Sequence, residues 1–318
     1  MQRQIYEISQ CEIILKKDSA KNVKWSYICK CEEKTSIYYI KMSGFKRKLR
    51  FVPSLLTCSS AFCGMLATFL AMEGEKSLVW AAYLILLAAV FDFSDGFAAR
   101  LLDACSELGK QLDSLADAIS FGVAPSAILF QFLKQSMRLR GGIFTFAPWE
   151  IAVLLCSILV AVFAILRLAK FNIDPEQAHS FKGLASPACA MFMASIPLID
   201  ATVPEDLLIT SILDSISTEM EFKWEMILIG LQVFVLGKWY FLLPMAMFVA
   251  VMMVTNLPMF SLKLKSLKYK EHTLVFNFLI FTVLMLILLK WLAVPILIFA
   301  YIIVSFIKWL GNRKNVEK

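Results

Sequence analysis

The sequence has little histidine and no paired cysteine motif, which argues against a zinc or redox site. Its two histidines, His179 and His272, are too far apart to form a zinc pattern. The eight cysteines include no CxxC pair, and the CxC of Cys29 and Cys31 is a weak signal. Reduced thiols used as small apolar residues are favoured. No tract interleaves Lys or Arg with aromatic residues, so the net charge of +7 does not indicate nucleic-acid binding.

Charged residues are also scarce, at 18%, whereas 59% of the residues are hydrophobic and the mean hydropathy is +0.70. The excess forms separate runs long enough to cross a bilayer, which takes roughly 20 residues each. The runs are continuous rather than alternating, which disfavours an outer-membrane barrel. We therefore predict an all-α, polytopic membrane bundle of about eight transmembrane helices. They are expected at about 51–72, 77–97, 109–133, 149–171, 184–202, 237–258, 272–289 and 291–309.

Composition divides the chain into three predicted parts. Residues 1–50 form a polar and basic extension, for which disorder is one option, without the uninterrupted apolar stretch of a signal peptide. The basic sequence after Met42 favours translation from that residue, with 1–41 an upstream artefact or a poorly ordered tail. Residues 51–260 form a six-helix core, and 261–318 a basic loop, a helical hairpin and a tail. The last two helices are expected to pack as a hairpin or to merge into one broken helix.

Basic residues predict the orientation in the membrane. Four of them precede the first predicted span and favour a cytoplasmic N-terminus: Lys46, Arg47, Lys48 and Arg50. With eight spans, the loops at 98–109, 171–183 and 259–271 also face the cytoplasm. The basic loop at 134–148 falls outside and is the one exception. The acidic residues around 98–109 are therefore expected on the cytoplasmic side.

Four aspartates border that loop at helical spacings. Asp92 and Asp95 are three residues apart at the end of the second predicted span, and Asp113 and Asp117 are four apart at the start of the third. Each pair shares one helix face, and the short loop makes the two helices antiparallel neighbours. Four converging carboxylates repel one another without cations, and oxygen ligands suit Mg²⁺, Mn²⁺ or Ca²⁺. Two such ions can clamp a phosphate.

The residues between the aspartates fit a diphosphate. Gly96 and Ala99 keep the helix surface low, Arg100 suits a phosphate or carboxylate, and Gly109 clears the face one turn before Asp113. Two alternatives remain open: solvated residues at helix ends, which is favoured for Asp103 and Glu107, and cation-pathway carboxylates in a transporter.

This stretch resembles the CDP-alcohol phosphotransferases, whose pattern is D-x2-D-G-x2-A-R-x8-G-x3-D-x3-D. All eight fixed positions are present: Asp92, Asp95, Gly96, Ala99, Arg100, Gly109, Asp113 and Asp117. The resemblance implies transfer of a phosphoalcohol from a CDP-linked donor to a second alcohol, with release of CMP. Within the family, the chain is most similar to bacterial membrane-type phosphatidylserine synthases over most of 50–265. The segments SFGVAPS, RLAKFN, FKGLASPA and MVTNLPMFSLK carry that similarity.

The resemblance implies specific roles for these residues. Asp92, Asp95, Asp113 and Asp117 would hold two divalent ions, Mg²⁺ or Mn²⁺ with Ca²⁺ as an option, and Asp117 would be the general base. CDP-diacylglycerol and L-serine are the implied substrates, in a homodimer of the bacterial inner membrane. Rival acceptors are glycerol 3-phosphate and inositol phosphate. Rivals from other classes are a transporter or channel and a non-catalytic scaffold.

Three more polar residues are candidates for substrate binding. Arg167 and Lys182 lie at the cytoplasmic ends of predicted spans, and either could hold the serine carboxylate or a lipid phosphate. Snorkelling to the interface is the alternative for both. Ser120 could hydrogen-bond serine or join two helices. The predicted substrate-binding set is Gly96, Ala99, Arg100, Gly109, Ser120, Arg167 and Lys182.

Overall fold

The protein divides into two compact units, Met1–Phe51 and Val52–Lys318. The computed structural model describes residues 7–8, 11–12, 14–15, 27–28, 51–102, 104, 106–173, 183–201, 238–259 and 273–316. In the first unit, β1 (Glu7–Ile8) pairs antiparallel with β2 (Cys11–Glu12), and β3 (Ile14–Leu15) with β4 (Tyr27–Ile28). The proposed division at 50 and 260 stays a prediction.

The described part of the second unit is helical, as the sequence predicts. Its ten α-helices are α1 (Val52–Glu73), α2 (Glu75–Leu101), α3 (Glu107–Asp117), α4 (Ala124–Ser136), α5 (Pro148–Cys156), α6 (Ile158–Ile173), α7 (Ser186–Asp200), α8 (Trp239–Val254), α9 (Thr273–Leu289) and α10 (Ala293–Val316). A π-helical turn at Ala118–Val123 joins α3 to α4. Single 3₁₀ turns lie at Ile143–Thr145 and Lys290–Leu292.

Five stretches among the described residues are long and apolar enough to cross a membrane, which fits an integral membrane protein. They are Val52–Glu73, Lys76–Leu101, Glu107–Ser136, Pro148–Ile173 and Val275–Leu310. The predicted count of about eight spans is not confirmed. One reason is that the apolar helices α7 and α8 have only 15 and 16 residues. At 1.5 Å per residue they rise about 22 and 24 Å, less than the roughly 30 Å hydrocarbon layer.

The fifth stretch folds back on itself at the turn Lys290–Leu292. The ring centroids of Phe278 on α9 and Tyr301 on α10 are 5.9 Å apart. In one continuous helix, 23 residues would separate these rings by about 35 Å. The two helices therefore form a hairpin, which agrees with the first of the two sequence expectations and excludes the single broken helix.

Small residues let α1 and α2 pack closely. Ala67 and Ala71 of α1 and Ala81, Ala82 and Ala88 of α2 are fully buried. Such side chains allow helix backbones to approach each other in a membrane, where water provides no hydrophobic drive between helices. Large apolar side chains point outward instead: Phe93, Phe62 and Trp80 are 72%, 67% and 66% exposed. This inside-out distribution fits a surface in contact with lipid tails.

Helix α7 lies at the centre of the bundle. Eight consecutive residues, 192–199, are all buried. The ring of Phe192 packs edge-to-face against Phe299 of α10 at 6.1 Å, and Phe299 stacks on Phe248 of α8 at 5.8 Å. The C-terminal hairpin thus covers a helix that would otherwise face lipid.

Gly183 fixes the approach of the chain to α7. Its φ of +77° lies in the left-handed region, and an added Cβ would come within 2.5 Å of the Met253 carbonyl oxygen. The backbone N–H groups of Gly183 and Leu184 donate to the carbonyls of Leu257 and Met252, both at 2.9 Å. A side chain at 183 would break this contact, so glycine is required by both conformation and space.

Candidate active site

The last turns of α2 and the second half of α3 bring the acidic motif together. Ser106 caps α3: its Oγ accepts from the Gly109 N–H at 3.0 Å. Glu107, in the first turn, pairs with Lys110 at 2.9 Å, and both side chains are largely exposed. This pair is a surface feature of the helix start, as predicted for Glu107.

Three of the four predicted metal ligands converge. Asp92, Asp95 and Asp113 each offer a carboxylate oxygen, and these atoms lie within 4.8 Å of one another. Asp95 is buried, and the other two are partly buried. Three anionic groups this close and this poorly hydrated repel one another unless a cation binds between them. The arrangement therefore fits a hard divalent cation with oxygen ligands.

Thr57 of α1 contacts the most buried of these aspartates. Its Oγ1 lies 2.5 Å from Asp95 Oδ2 and 3.0 Å from the carbonyl oxygen of Pro53. A hydroxyl has one proton, so it donates to one of these acceptors at a time. The carboxylate is closer and charged, which favours the bond to Asp95. The sequence interpretation missed Thr57.

Asp117 ends α3 beside the three converging carboxylates. It interacts electrostatically with Asp92 and Asp113 and with Arg167 of α6. Its Oδ1 is buried and has no hydrogen-bond partner among the described residues. A buried carboxylate oxygen without a partner is costly in an apolar environment and points to an occupant of the site, either a cation or a proton-donating group.

Arg167 is the basic side chain that reaches this cluster in the described part of the chain. Its guanidinium donates to Ser186 Oγ of α7 at 2.7 Å and lies 5.7 Å from the centre of the Phe171 ring. With Asp117 nearby, the side chain is held on three sides rather than extended into the interface. This arrangement favours a role within the bundle over the snorkelling alternative for Arg167, and its contact with substrate stays a prediction.

Residues 50–218, which are 169 of the 318, match the sequence model of the CDP-alcohol phosphatidyltransferases. The chain belongs to the CDP-alcohol phosphatidyltransferase family. The matched region includes α1 to α7 and every residue of the acidic cluster. Membership of this family indicates a transferase.

Curated relatives give finer information. A CDP-diacylglycerol–serine O-phosphatidyltransferase of Bacillus subtilis is 31% identical over 144 residues, which cover 45% of this chain and 73% of that protein. The enzyme of that name from Helicobacter pylori is 34% identical over 154 residues, covering 48% and 59%. An archaetidylserine synthase of Methanothermobacter thermautotrophicus is 33% identical over 149 residues, covering 46% and 58%. The matched regions thus span 58% to 73% of the length of these three relatives.

The other predicted substrate residues of this phosphatidyltransferase fall into three groups. Gly96 faces open space, since an added Cβ would meet nothing within 4 Å, and Arg100 is exposed close by. Ala99 is partly buried on the same helix, and Gly109 serves the cap of α3. Lys182 lies outside the described residues. These five residues remain predictions as substrate contacts.

Ser120 is the residue whose surroundings differ most from a substrate site. It is fully buried in the π-helical turn, and its hydroxyl donates to the Ser60 carbonyl of α1 at 2.9 Å. Ser60 Oγ in turn donates to the Ala88 carbonyl of α2 at 3.1 Å. Of the two roles left open by the sequence, the structure supports the joining of helices, and contact with substrate stays a prediction.

Proposed function

We propose that this protein is a CDP-diacylglycerol–serine O-phosphatidyltransferase, which transfers the phosphatidyl group of CDP-diacylglycerol to L-serine and releases CMP. The observation that carries the proposal is the convergence of Asp92, Asp95 and Asp113 within 4.8 Å next to the unpartnered oxygen of Asp117. In the family to which the chain belongs, that cluster is the part of the molecule suited to a metal-bound diphosphate.

Asp92, Asp95 and Asp113 would hold the divalent cations, and Asp117, which interacts with Asp92 and Asp113, would share one. The donor set contains only oxygen, which favours Mg²⁺ or Mn²⁺, with Ca²⁺ as an option. When bound, such ions neutralise the diphosphate and polarise its phosphorus–oxygen bonds. The open space beside Gly96 leaves room for the diphosphate above α2, and the exposed Arg100 offers it a guanidinium.

The chain's own residues account for the proton and for the orientation of the acceptor. The serine hydroxyl oxygen attacks the β-phosphorus, the bond between that phosphorus and the bridging oxygen breaks, and CMP leaves. The proton of the hydroxyl passes to the free oxygen of Asp117 as the new bond forms. Arg167, held by Ser186, would bind the serine carboxylate and place the hydroxyl beside Asp117.

Two observations favour serine as the acceptor. The relatives that match are named for serine-linked products, including one whose name refers to archaetidylserine. Glycerol 3-phosphate and inositol phosphate carry two negative charges, and a site for them needs several basic residues. Among the described residues, Arg167 is the basic side chain that interacts with Asp117, and the nearby Lys170 donates to the Val254 carbonyl at 3.1 Å. The single guanidinium of Arg167 suits the single carboxylate of serine better than the two negative charges of a phosphate.

A cation transporter is the rival from another class. It requires polar or ionisable groups along a path through the bundle. Away from the acidic cluster, the buried described residues are apolar side chains such as Phe121 and Ile128, together with serines. The hydroxyls of Ser126, Ser157 and Ser195 donate to backbone carbonyls and so do not form an ion path. The clustered aspartates of α2 and α3 have no buried acidic or basic side chain beyond them among these residues, which supports an enzyme site.

We further propose that this end faces the cytoplasm of a bacterial inner membrane and that the protein is a homodimer. Lys46, Arg47, Lys48 and Arg50 precede α1, whose first turns carry Thr57 next to the cluster. The positive-inside rule then puts the site where CDP-linked lipids are made. Cross-linking in native membranes and labelling of single cysteines would test both statements.

One assay tests the reaction. Purified full-length protein is supplied with CDP-diacylglycerol, Mn²⁺ or Mg²⁺, and one acceptor at a time, and CMP release is measured. We expect rapid release with L-serine and little with glycerol 3-phosphate or inositol phosphate. Rapid release with glycerol 3-phosphate and none with serine would overturn the acceptor, and no release with any of them would overturn the enzyme.

A further inference from the structure

We infer that Thr57 is a positioning residue that holds the Asp95 carboxylate in the orientation needed for a divalent cation. The inference rests on the metal site of the proposed function, but it does not depend on which alcohol accepts the phosphatidyl group. It concerns a residue outside the acidic motif, 38 positions earlier in the chain and on a different helix.

The contact is made possible by the packing of α1 against α2. Both side chains are buried, with Thr57 4% and Asp95 6% exposed, so water does not compete for the bond. Ala67, Ala71 and Ala81 are fully buried, and side chains this small allow helix backbones to pack closely. In this packing, Thr57 Oγ1 lies 2.5 Å from Asp95 Oδ2.

Thr57 does not need Asp95 to satisfy its own hydroxyl. Thr68, on the same helix, donates to the carbonyl four residues earlier, Gly64, at 2.9 Å, and this bond suffices there. Thr57 has the equivalent carbonyl, that of Pro53, at 3.0 Å. The additional, shorter contact to a carboxylate therefore serves Asp95.

The bond selects one orientation of the carboxylate. A carboxylate has two oxygens with about four acceptor positions, and a donor on Oδ2 leaves Oδ1 available to a cation. Rotation of the carboxyl group would lose this bond in a buried environment, where an unsatisfied polar group is costly. Partners of this kind behind metal ligands typically contribute 10- to 100-fold in metal affinity.

The test is Mn²⁺ binding by the full-length protein in detergent, without substrate. Electron paramagnetic resonance of free Mn²⁺ gives the dissociation constant. Thr57→Val keeps the branched shape and removes the hydroxyl, so we expect at least about 10-fold weaker binding. Thr57→Ser retains the hydroxyl and should restore most of the affinity. Thr68→Val removes a hydroxyl that contacts only backbone and should bind Mn²⁺ as the wild type does.

The melting temperature of each variant in metal-free buffer separates positioning from folding. Weak Mn²⁺ binding by Thr57→Val with a wild-type melting temperature, and recovery in Thr57→Ser, supports the inference. Wild-type affinity in Thr57→Val, or equal losses in the serine and valine variants, overturns it. Unfolding of Thr57→Val in metal-free buffer also overturns it, because the hydroxyl would then act on helix packing. Absence of Mn²⁺ binding by the wild type would instead refute the proposed metal site.

Discussion

Replacement of Gly64 by alanine should disable the site from a distance, through the π-helical turn that follows Asp117. An added Cβ would lie 2.5 Å from Ser120 Oγ and 2.6 Å from Ser120 Cα. The second atom belongs to the backbone, so no rotamer change relieves the clash. Restoring an ordinary contact of 3.4 Å requires a shift of 3.4 − 2.6 = 0.8 Å between α1 and the turn.

That shift occurs three residues from Asp117, within one helical turn. A displacement of about 1 Å in a reacting group can lower turnover by about 10²-fold, equivalent to about 2.7 kcal/mol in the barrier. Overpacking of this kind also typically costs about 1–3 kcal/mol of stability. We therefore expect Gly64→Ala to lower serine-dependent CMP release by about 10²-fold and to melt at a lower temperature.

The matched control is Gly142→Ala, because Gly142 has a negative φ and an added Cβ there would meet nothing within 4 Å. It should retain wild-type turnover and melting temperature. Wild-type turnover in Gly64→Ala would refute the reasoning, because it would mean that the contact between α1 and Ser120 does not hold Asp117 in place.

Three further predictions concern the site itself. Asp117→Asn should nearly abolish CMP release yet retain part of the Mn²⁺ binding, because the three converging carboxylates remain; near-normal turnover would contradict its role as base. Arg167→Gln should raise the KM for serine by roughly 10-fold or more through loss of a charge-assisted hydrogen bond, with partial recovery in Arg167→Lys; an unchanged KM would separate Arg167 from the acceptor. Chelation with EDTA should abolish turnover, and Mn²⁺ or Mg²⁺ should restore it where Na⁺ at equal ionic strength does not; full activity in chelator would exclude a metal-dependent reaction.

The acidic cluster was predictable because its geometry is local. Spacings of three and four residues place Asp92 with Asp95 and Asp113 with Asp117, and a short loop can only return α3 alongside α2. The hairpin of α9 and α10 was predictable for the same reason. These contacts were predictable because few residues separate the partners along the chain, and helix geometry determines which side chains share a face.

Contacts that lie far from the turn between two packed helices were not predictable. The pairing of Thr57 with Asp95 depends on how α1 packs against α2, and this packing is visible only in the folded structure. A threonine in an apolar span was the available signal, since its hydroxyl needs a partner. The π-helical turn at Ala118–Val123 left no comparable signal, and it gives Ser120 its contact with Ser60.

Burial of α7 on all sides imposes an order on how the protein is made. Phe192 finds its partner Phe299 only after a further 107 residues have been synthesised, which takes roughly 5–20 s at ordinary translation speeds. Throughout that interval α1, α2 and α3 are already available to pair, whereas α7 has no α10 to cover it. Helices α1 to α3, which carry the carboxylates, can therefore assemble early. Helix α7 stays incompletely packed until the hairpin of α9 and α10 has been synthesised. Proteins that recognise incompletely folded chains should accordingly bind α7, and not the helices that carry the acidic cluster.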